Sequence, residues 1–323
     1  MRKEEIVTLP VCVQDYLNYL NVVKNKSELT VLEYASDLRM FTRFELRRYN
    51  PSLLTLPFEK TEIFSADVSF YEKLGLTDAY AFLSYCKDER KDDSSARARK
   101  TVSVKRFYKY LFSNNLIKEN NMVNLEAPKI KKSLPKYLTL EQSLDLLNSV
   151  EGINKERDYC ILTFFLNCGL RLAELVSINL SDFSDEGTLR VVGKGNKERT
   201  IYINDACAKA LNSYLRVRPV DGVIDKKALF LSNQKKRISP KTVQHMVNTY
   251  LDKAGLGNMG FSVHKLRHTA ATLMYQHGNV DVLLLKEILG HENLATTEIY
   301  THVINEQLRS AVDSNPLNNP DIK

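Results

Sequence analysis

The stretch SVHKLRHTAATLMYQHGNVDVLLLKEILGHENLATTEIYTH, residues 262–302, holds five of the six histidines of the chain: His264, His268, His277, His291 and His302. Arg267 stands between the first two, and Tyr300 lies nine residues beyond His291. The apolar run from Val282 to Leu289 separates the two clusters and has the character of a packed helix. Residues three and four apart share a helix face, so His264 meets both Arg267 and His268 there. The histidine pair has the spacing of a helical zinc motif, but Lys265 stands where that motif has glutamate. Two cations beside a zinc ion are unfavourable, and no metal or other cofactor is expected. The same set reads as an anion site, in which Arg267 supplies a forked donor and His264 another donor or a proton carrier.

Working outward, 323 residues suffice for two domains, each with its own core. A net charge of +7 suits a polyanionic partner, although a basic surface alone does not require one. No apolar run reaches about 18 residues, so no membrane span is expected. The start MRKEEIVTLPVCV lacks a secretory signal's apolar core and cleavage site. The five cysteines are scattered and none has CxxC spacing, which points to reduced core thiols in a cytoplasmic protein.

The N-terminal part reads as helical. Apolar residues recur at helical spacing over 11–24, a second helix follows Ser27, and a third begins near Thr77. Residues 50–66 read as a long loop. A fourth helix, from about Ser95 to Leu111, carries Arg97, Arg99, Lys100, Lys105, Arg106 and Lys109 with no acid among them. A basic face on a core-packed helix suits phosphate contact, or else is simply a solvated face. Residues 118–136 are polar, basic and proline-bearing, and read as a linker whose Lys131 and Lys132 would lie near bound DNA. The expected organisation is an all-helical domain over 8–117, this linker, and a second domain over 137–323.

In the second domain, Thr139 and Gln142 have capping-box spacing. The segment from Glu156 to Cys168 is almost wholly apolar past Tyr159, and Gly169 is a natural stop. Thr188 to Val192 and Arg199 to Ile203 read as a hairpin with Lys194 at its tip, and Ala228 to Leu231 as a third strand. Arg171, just past an apolar helix, needs an anion: either a ligand, or Glu174 or another core acid. Lys194 is free to reach a ligand, or serves solubility alone.

Together these groups suit phosphoryl transfer to a phenol. Arginines and histidines preorganised around a phosphodiester stabilise the charge of its transition state. A tyrosine of pKa about 10 is roughly 3 units from its phenolate at pH 7, a cost of about 4 kcal/mol that nearby cations reduce. Lys194 could protonate the leaving sugar oxygen.

The segments CGLRLAEL, VVGKGNKERTIYI, HKLRHTAATLM and LGHENLATTEIYTHV resemble, in order and spacing, the motifs of the tyrosine recombinase (phage integrase) family, and most closely its bacterial Xer-type branch. SELTVLEYASDLRMFTRF and the basic helix are similar, more weakly, to that family's core-binding domain. The resemblance spans about residues 11 to 312. It implies a mainly α, two-domain fold, with a SAM-like helical core-binding domain and a mostly helical catalytic domain bearing a small antiparallel sheet. It assigns the catalytic roles to Arg171, Lys194, His264, Arg267, His291 and the nucleophile Tyr300, with Glu174 in support. It also implies strand cleavage and rejoining through a 3′-phosphotyrosine, on double-stranded DNA. The working assembly would be a homo- or hetero-tetramer joined through the segment from Val303 to Asp313, with a DNA translocase as a further candidate partner. Val263 departs from the proline common in Xer-type proteins, and the loop from Asn50 to Gly75 is longer than in compact relatives. A type IB topoisomerase-like enzyme shares the same chemistry, and a non-catalytic DNA-binding protein the same fold. The complete six-residue set argues against the second. A metal-dependent nuclease fits poorly, because no acidic cluster is present.

Overall fold

The computed structural model describes residues 3–130, 136–193, 197–278 and 280–290. The chain divides into two compact units, Met1–Lys132 and Ser133–Lys323. Its secondary structure is predominantly helical, with one two-stranded sheet among the described residues.

The first unit holds helices α1 (Val11–Asn18), α2 (Glu28–Tyr49), α3 (Val68–Lys73), α4 (Leu76–Asp88) and α5 (Ser94–Ser113). Ser27 caps α2 by accepting the Thr30 N–H at 3.3 Å, and Asp93 caps α5 by accepting that of Ala96 at 2.7 Å. Tyr16, Leu38, Phe41, Phe82, Phe107 and Tyr108 form its core. The helix expected to begin near Thr77 is α4; the short α3 before it was not expected, and Asp67 caps it by accepting the Phe70 N–H at 3.0 Å. The stretch 50–66 is an ordered loop containing two 3₁₀ turns. Arg47 Nη1 donates to the carbonyls of Leu53 and Leu56 and to the Thr61 hydroxyl, and Arg43 Nε donates to the Thr61 carbonyl. Side-chain clamps of this kind leave no periodicity to read.

The expectation of a linker beginning at residue 118 is corrected. Ile117, Met122 and Leu125 are buried in the first core, and the Asn121 amide donates to the Glu72 and Leu74 carbonyls. The polar composition of this stretch hides three apolar anchors spaced too irregularly to signal a helix.

The second unit begins on α6 (Leu140–Asn148), whose capping box is present as expected: the Thr139 hydroxyl accepts the Gln142 N–H, and the Gln142 carboxamide oxygen accepts that of Thr139. Helix α7 (Lys155–Cys168) is central, packed between α9 (Asp205–Val217) and α11 (Val263–His277). This placement explains why α7 is almost wholly apolar past Tyr159. Between α7 and α9 lie the short α8 (Leu172–Ser177) and the strands β1 (Thr188–Val192) and β2 (Glu198–Tyr202). The strands are antiparallel, with Thr188 opposite Tyr202 and Val192 opposite Glu198. Ala228 to Leu231 makes only isolated bridges, to Asn179 and Arg237, and is not a third strand. Helix α10 (Pro240–Lys253) closes the core, and α12 (Val282–Leu289) packs on α11 through Ala271, Tyr275, Leu285 and Leu289. All five cysteines are buried free thiols. No helix among the described residues is long and apolar enough to cross a membrane.

One buried acid in the first unit lacks the partners burial demands. Glu45 has no exposed surface, and neither carboxylate oxygen has a hydrogen-bond partner; Arg48 approaches only to 3.8 Å. Burial, with the charge of Asp78, pushes its carboxyl up to about 8 against the pull of Arg48. A carboxyl whose folded pKa is raised favours the fold most below its ordinary value of about 4.5, and that advantage is lost as pH climbs through 8. Glu45→Gln should therefore raise the melting temperature at pH 9 by several degrees and change it little at pH 4.5; equal shifts at both pH values would contradict this.

Candidate active site

The site is built where α7 ends. Gly169 takes a left-handed conformation with φ of 57°, and a Cβ there would meet Leu289 Cδ2 at 2.7 Å. Only glycine both turns the chain and lets α12 approach this closely. The turn delivers Arg171 to the start of α8, with Glu174 three residues on. Glu174 Oε2 accepts the Arg171 backbone N–H at 2.8 Å, and Oε1 accepts Arg171 Nη1 at 2.7 Å. The local ion pair considered for Arg171 is therefore real, but the guanidinium also reaches outward, with its side chain 35% exposed.

A second arginine holds the same carboxylate. Arg199 on β2 makes a forked contact, Nη1 to Oε1 at 2.8 Å and Nη2 to Oε2 at 2.9 Å. Arg267 on α11 lies beyond, its Nη1 3.9 Å from Oε2. Sequence reasoning missed Arg199. The signal available was strand parity: Arg199 shares a face with the buried Ile201, whereas Glu198, Thr200 and Tyr202 are exposed.

The same three guanidiniums hold the end of α12. The last carbonyls of a helix have no partners within it. Arg199 Nε donates to the Ile288 carbonyl at 3.2 Å, Arg267 Nη2 to Leu289 at 2.6 Å, and Arg171 Nη2 to Gly290 at 3.0 Å. Arg267 Nη1 donates to the Gly169 carbonyl at 2.7 Å, which ties the two helix ends together. Cations at a helix C-terminus also oppose its negative pole. Gly290, left-handed with φ of 64°, leaves room for Arg199: a Cβ there would stand 3.0 Å from Arg199 Cδ.

Burial pushes the Glu174 carboxyl up, but the hydrogen bonds and charge of Arg199 and the two donors of Arg171 outweigh it and hold the group down at about 2. Three cations thus surround one anion, a surplus of two positive charges. His264 stands exposed on the first turn of α11. His268, one turn on, is half-buried; burial first, and then the charges of Lys265, Arg267 and His264, lower it to about 4, so its ring is neutral near pH 7. Among the described residues no three His, Cys, Asp or Glu side chains gather as metal ligands. Gly193 packs at the root of the hairpin, where a Cβ would lie 3.5 Å from Glu174 Oε1 and 3.9 Å from Arg171 Nη1. Lys194, the residue after it, lies outside the described residues, as do His291, Tyr300, Lys131 and Lys132.

The basic helix α5 is more inward-looking than its composition suggested. Lys100 is 4% exposed, and its ammonium pairs with Asp92 at 2.8 Å. Its expected phosphate contact is corrected: a buried, paired ammonium holds the turn before α5 and is not available to a backbone phosphate. Arg99 Nη1 donates to the buried Asp37 at 2.5 Å, Arg106 to the Tyr34 hydroxyl at 2.7 Å, and Lys105 to the Leu125 carbonyl at 2.8 Å. Arg99 and Arg106 nonetheless stay exposed, and Arg97 is partly so.

Residues 136–307 match the family model described as the phage integrase family. The chain is 51% identical over 314 residues to a tyrosine recombinase XerC of Caldanaerobacter subterraneus subsp. tengcongensis, covering 97% of this chain and 89% of that protein. It is 33% identical to a tyrosine recombinase XerC of Corynebacterium glutamicum, covering 94% and 91%. Among solved structures it resembles the Tn1549 transposon integrase in complex with transposon right end DNA, with a TM-score of 0.71 at 18% identity, covering 94% of this chain and 98% of that one. It also resembles the XerH site-specific recombinase bound to difH DNA after cleavage, with a TM-score of 0.68 at 20% identity, covering 94% and 83%. At those identities the structures establish the likeness of fold.

A carboxylate held at about 2 stabilises the fold fully above pH 4.5 and loses that contribution as pH falls through 2. Removing the charge leaves the mostly buried Arg199 and Arg267 without their anion, so Glu174→Gln should cost on the order of 3 kcal/mol at pH 7. The variant should also lose less stability than the parent between pH 4.5 and 2. Urea unfolding across that range measures both; parallel curves for the two proteins would refute the assignment.

Proposed function

The chain belongs to the phage integrase family of tyrosine recombinases, enzymes of site-specific DNA recombination, and on that footing we propose that Arg171, Lys194, His264, Arg267, His291 and Tyr300 carry its chemistry, with Glu174 in support. The observation that carries this reading is the surplus of two positive charges held by Arg171, Arg199 and Arg267 around Glu174. Such a site offers a phosphodiester preorganised donors in the first step and the reverse step alike.

The chemistry follows from the groups. The Tyr300 oxygen attacks the scissile phosphorus, its proton passing to a neighbouring base, for which His264 and His291 are the candidates. Arg171 and Arg267 take the charge on the non-bridging oxygens. Arg171 uses two of its five N–H groups on Glu174 and Gly290 among the described residues, and its exposed edge faces outward for a phosphate. The bond from phosphorus to the 5′-oxygen breaks, Lys194 donates the proton that this oxygen needs, and a 3′-phosphotyrosine remains. The partner strand's 5′-hydroxyl reverses these steps. One diester is exchanged for another, so no ATP or other cofactor is consumed.

The substrate is double-stranded DNA. Arg97, Arg99, Lys105, Arg106, Lys131 and Lys132 contribute to its backbone contact, supported by the exposed basic edge of α5. The assembly is a tetramer, of one or two kinds of subunit, joined through residues 303–313, and a DNA translocase activates it in the cytoplasm. Both resolution of replicon dimers and integration or excision of a mobile element fit this chemistry.

A nicked target duplex should trap a covalent adduct, and Tyr300→Phe should abolish it with DNA affinity retained; an adduct that persists places the nucleophile elsewhere. Arg171→Ala and Arg267→Ala should each slow adduct formation at least 100-fold. They should differ in stability: Arg267→Ala orphans the Gly169 and Leu289 carbonyls and should cost on the order of 3 kcal/mol, and Arg171→Ala less. Neutralising Arg97 and Arg99 together should weaken binding and flatten its dependence on salt. Lys100→Ala should lower the melting temperature and leave the salt slope unchanged; the opposite pattern would reverse the roles assigned on α5.

A further inference from the structure

We propose that Arg199 is a positioning residue for strand cleavage, acting through Glu174 and the end of α12 and not by touching DNA. The inference rests on the reading of Arg171 and Arg267 as the phosphate-binding pair. Arg199 is 14% exposed in its side chain, and Nε, Nη1 and Nη2 are all engaged, with Ile288, Glu174 Oε1 and Glu174 Oε2. All three of its guanidinium nitrogens are thus held by Glu174 and the end of α12.

Its effect is electrostatic and geometric. Each Glu174 oxygen accepts one bond from Arg171 and one from Arg199. With Arg199 present, three guanidiniums face one carboxylate, and the net charge is 3 − 1 = +2. Without it, among the described residues, Arg171 alone still hydrogen-bonds Glu174, Arg267 lies 3.9 Å away, and the surplus falls to 2 − 1 = +1. The field of Arg171 is then largely cancelled by its own neighbour in place of being directed at a phosphate. Glu174 also loses the forked contact that fixes its plane, and with it the orientation of Arg171.

The second arm is the end of α12. Nε holds the Ile288 carbonyl two residues before Gly290, and Gly290 lacks a Cβ where one would press on the Arg199 side chain. The proposed catalytic residue His291 follows directly in sequence. Arg199 also lies five residues after Lys194 and joins the strand leaving the hairpin to both other parts of the site. A lysine cannot replace it, because a single ammonium cannot grip both carboxylate oxygens and a carbonyl in a fixed plane.

The test is single-turnover formation of the covalent adduct on a nicked target duplex, with DNA affinity and melting temperature measured beside it. Arg199→Ala should slow the adduct step about 100-fold with DNA affinity within twofold of the parent. Arg199→Lys should recover less than a tenth of the lost rate, and millimolar guanidinium ion should partly restore Arg199→Ala. The double variant Arg199→Ala with Glu174→Gln should be no slower than the slower single variant, because both changes break one unit. A role confined to folding would instead lower stability, affinity and rate together and give no rescue. Should Arg199→Ala not fold, Arg199→Lys decides alone: a folded lysine variant that cleaves at the parental rate overturns the proposal. So does a normal rate in Arg199→Ala, or a double variant whose loss is the product of the two single losses. If Arg171→Ala cleaves normally, the phosphate-clamp reading fails; if Arg171→Ala is inactive and Arg199→Ala is normal, only the present inference fails.

Discussion

Three guanidinium groups converge on the Glu174 carboxylate, and they stand together only because that anion is there. Buried like charges repel strongly in a medium of low polarity. A single carboxylate, 2% exposed and gripped from two sides, offsets the repulsion while leaving the cluster positive. Each arginine comes from a different element: Arg171 from the start of α8, Arg199 from β2 and Arg267 from α11. The carboxylate therefore fixes the site and also joins three parts of the second unit.

The arginines in turn replace what α12 lacks. Its last carbonyls have no helical partners, and three guanidiniums supply them one each. Two glycines make this geometry accessible, Gly169 by letting Leu289 in and Gly290 by leaving space for Arg199. The helix ends of α7 and α12 thus meet across a shared arginine, Arg267.

Most of the fold was legible because its signals are local. Ser27, Thr139 and Gly169 end or begin helices through backbone bonds within a few residues, and the apolar character of α7 announced its central position. What escaped depended on long-range side-chain contact. The 50–66 loop is shaped by Arg43 and Arg47, and the segment around Met122 joins the first core through three irregularly placed apolar groups. Lys100 read as surface because its neighbours on α5 are basic, whereas its partner, Asp92, lies in the preceding turn. In the site, Arg171, Glu174 and Arg267 stood out by motif. Arg199 did not, because an arginine in a short strand is ordinary unless its parity with Ile201 is weighed.

The bond from Arg171 to the Gly290 carbonyl carries a consequence for energetics beyond the site. One guanidinium serves both the docking of α12 and, on the reading above, a phosphate outside the protein. Whatever free energy ligand binding gains or loses by the presence of that helix end, the helix end gains or loses by the presence of ligand, since coupling between two binding events is reciprocal. Polyanion occupancy and the seating of the end of α12 are in this sense a single equilibrium. Its set point lies in how one side chain divides its donors between a backbone oxygen and a phosphate oxygen.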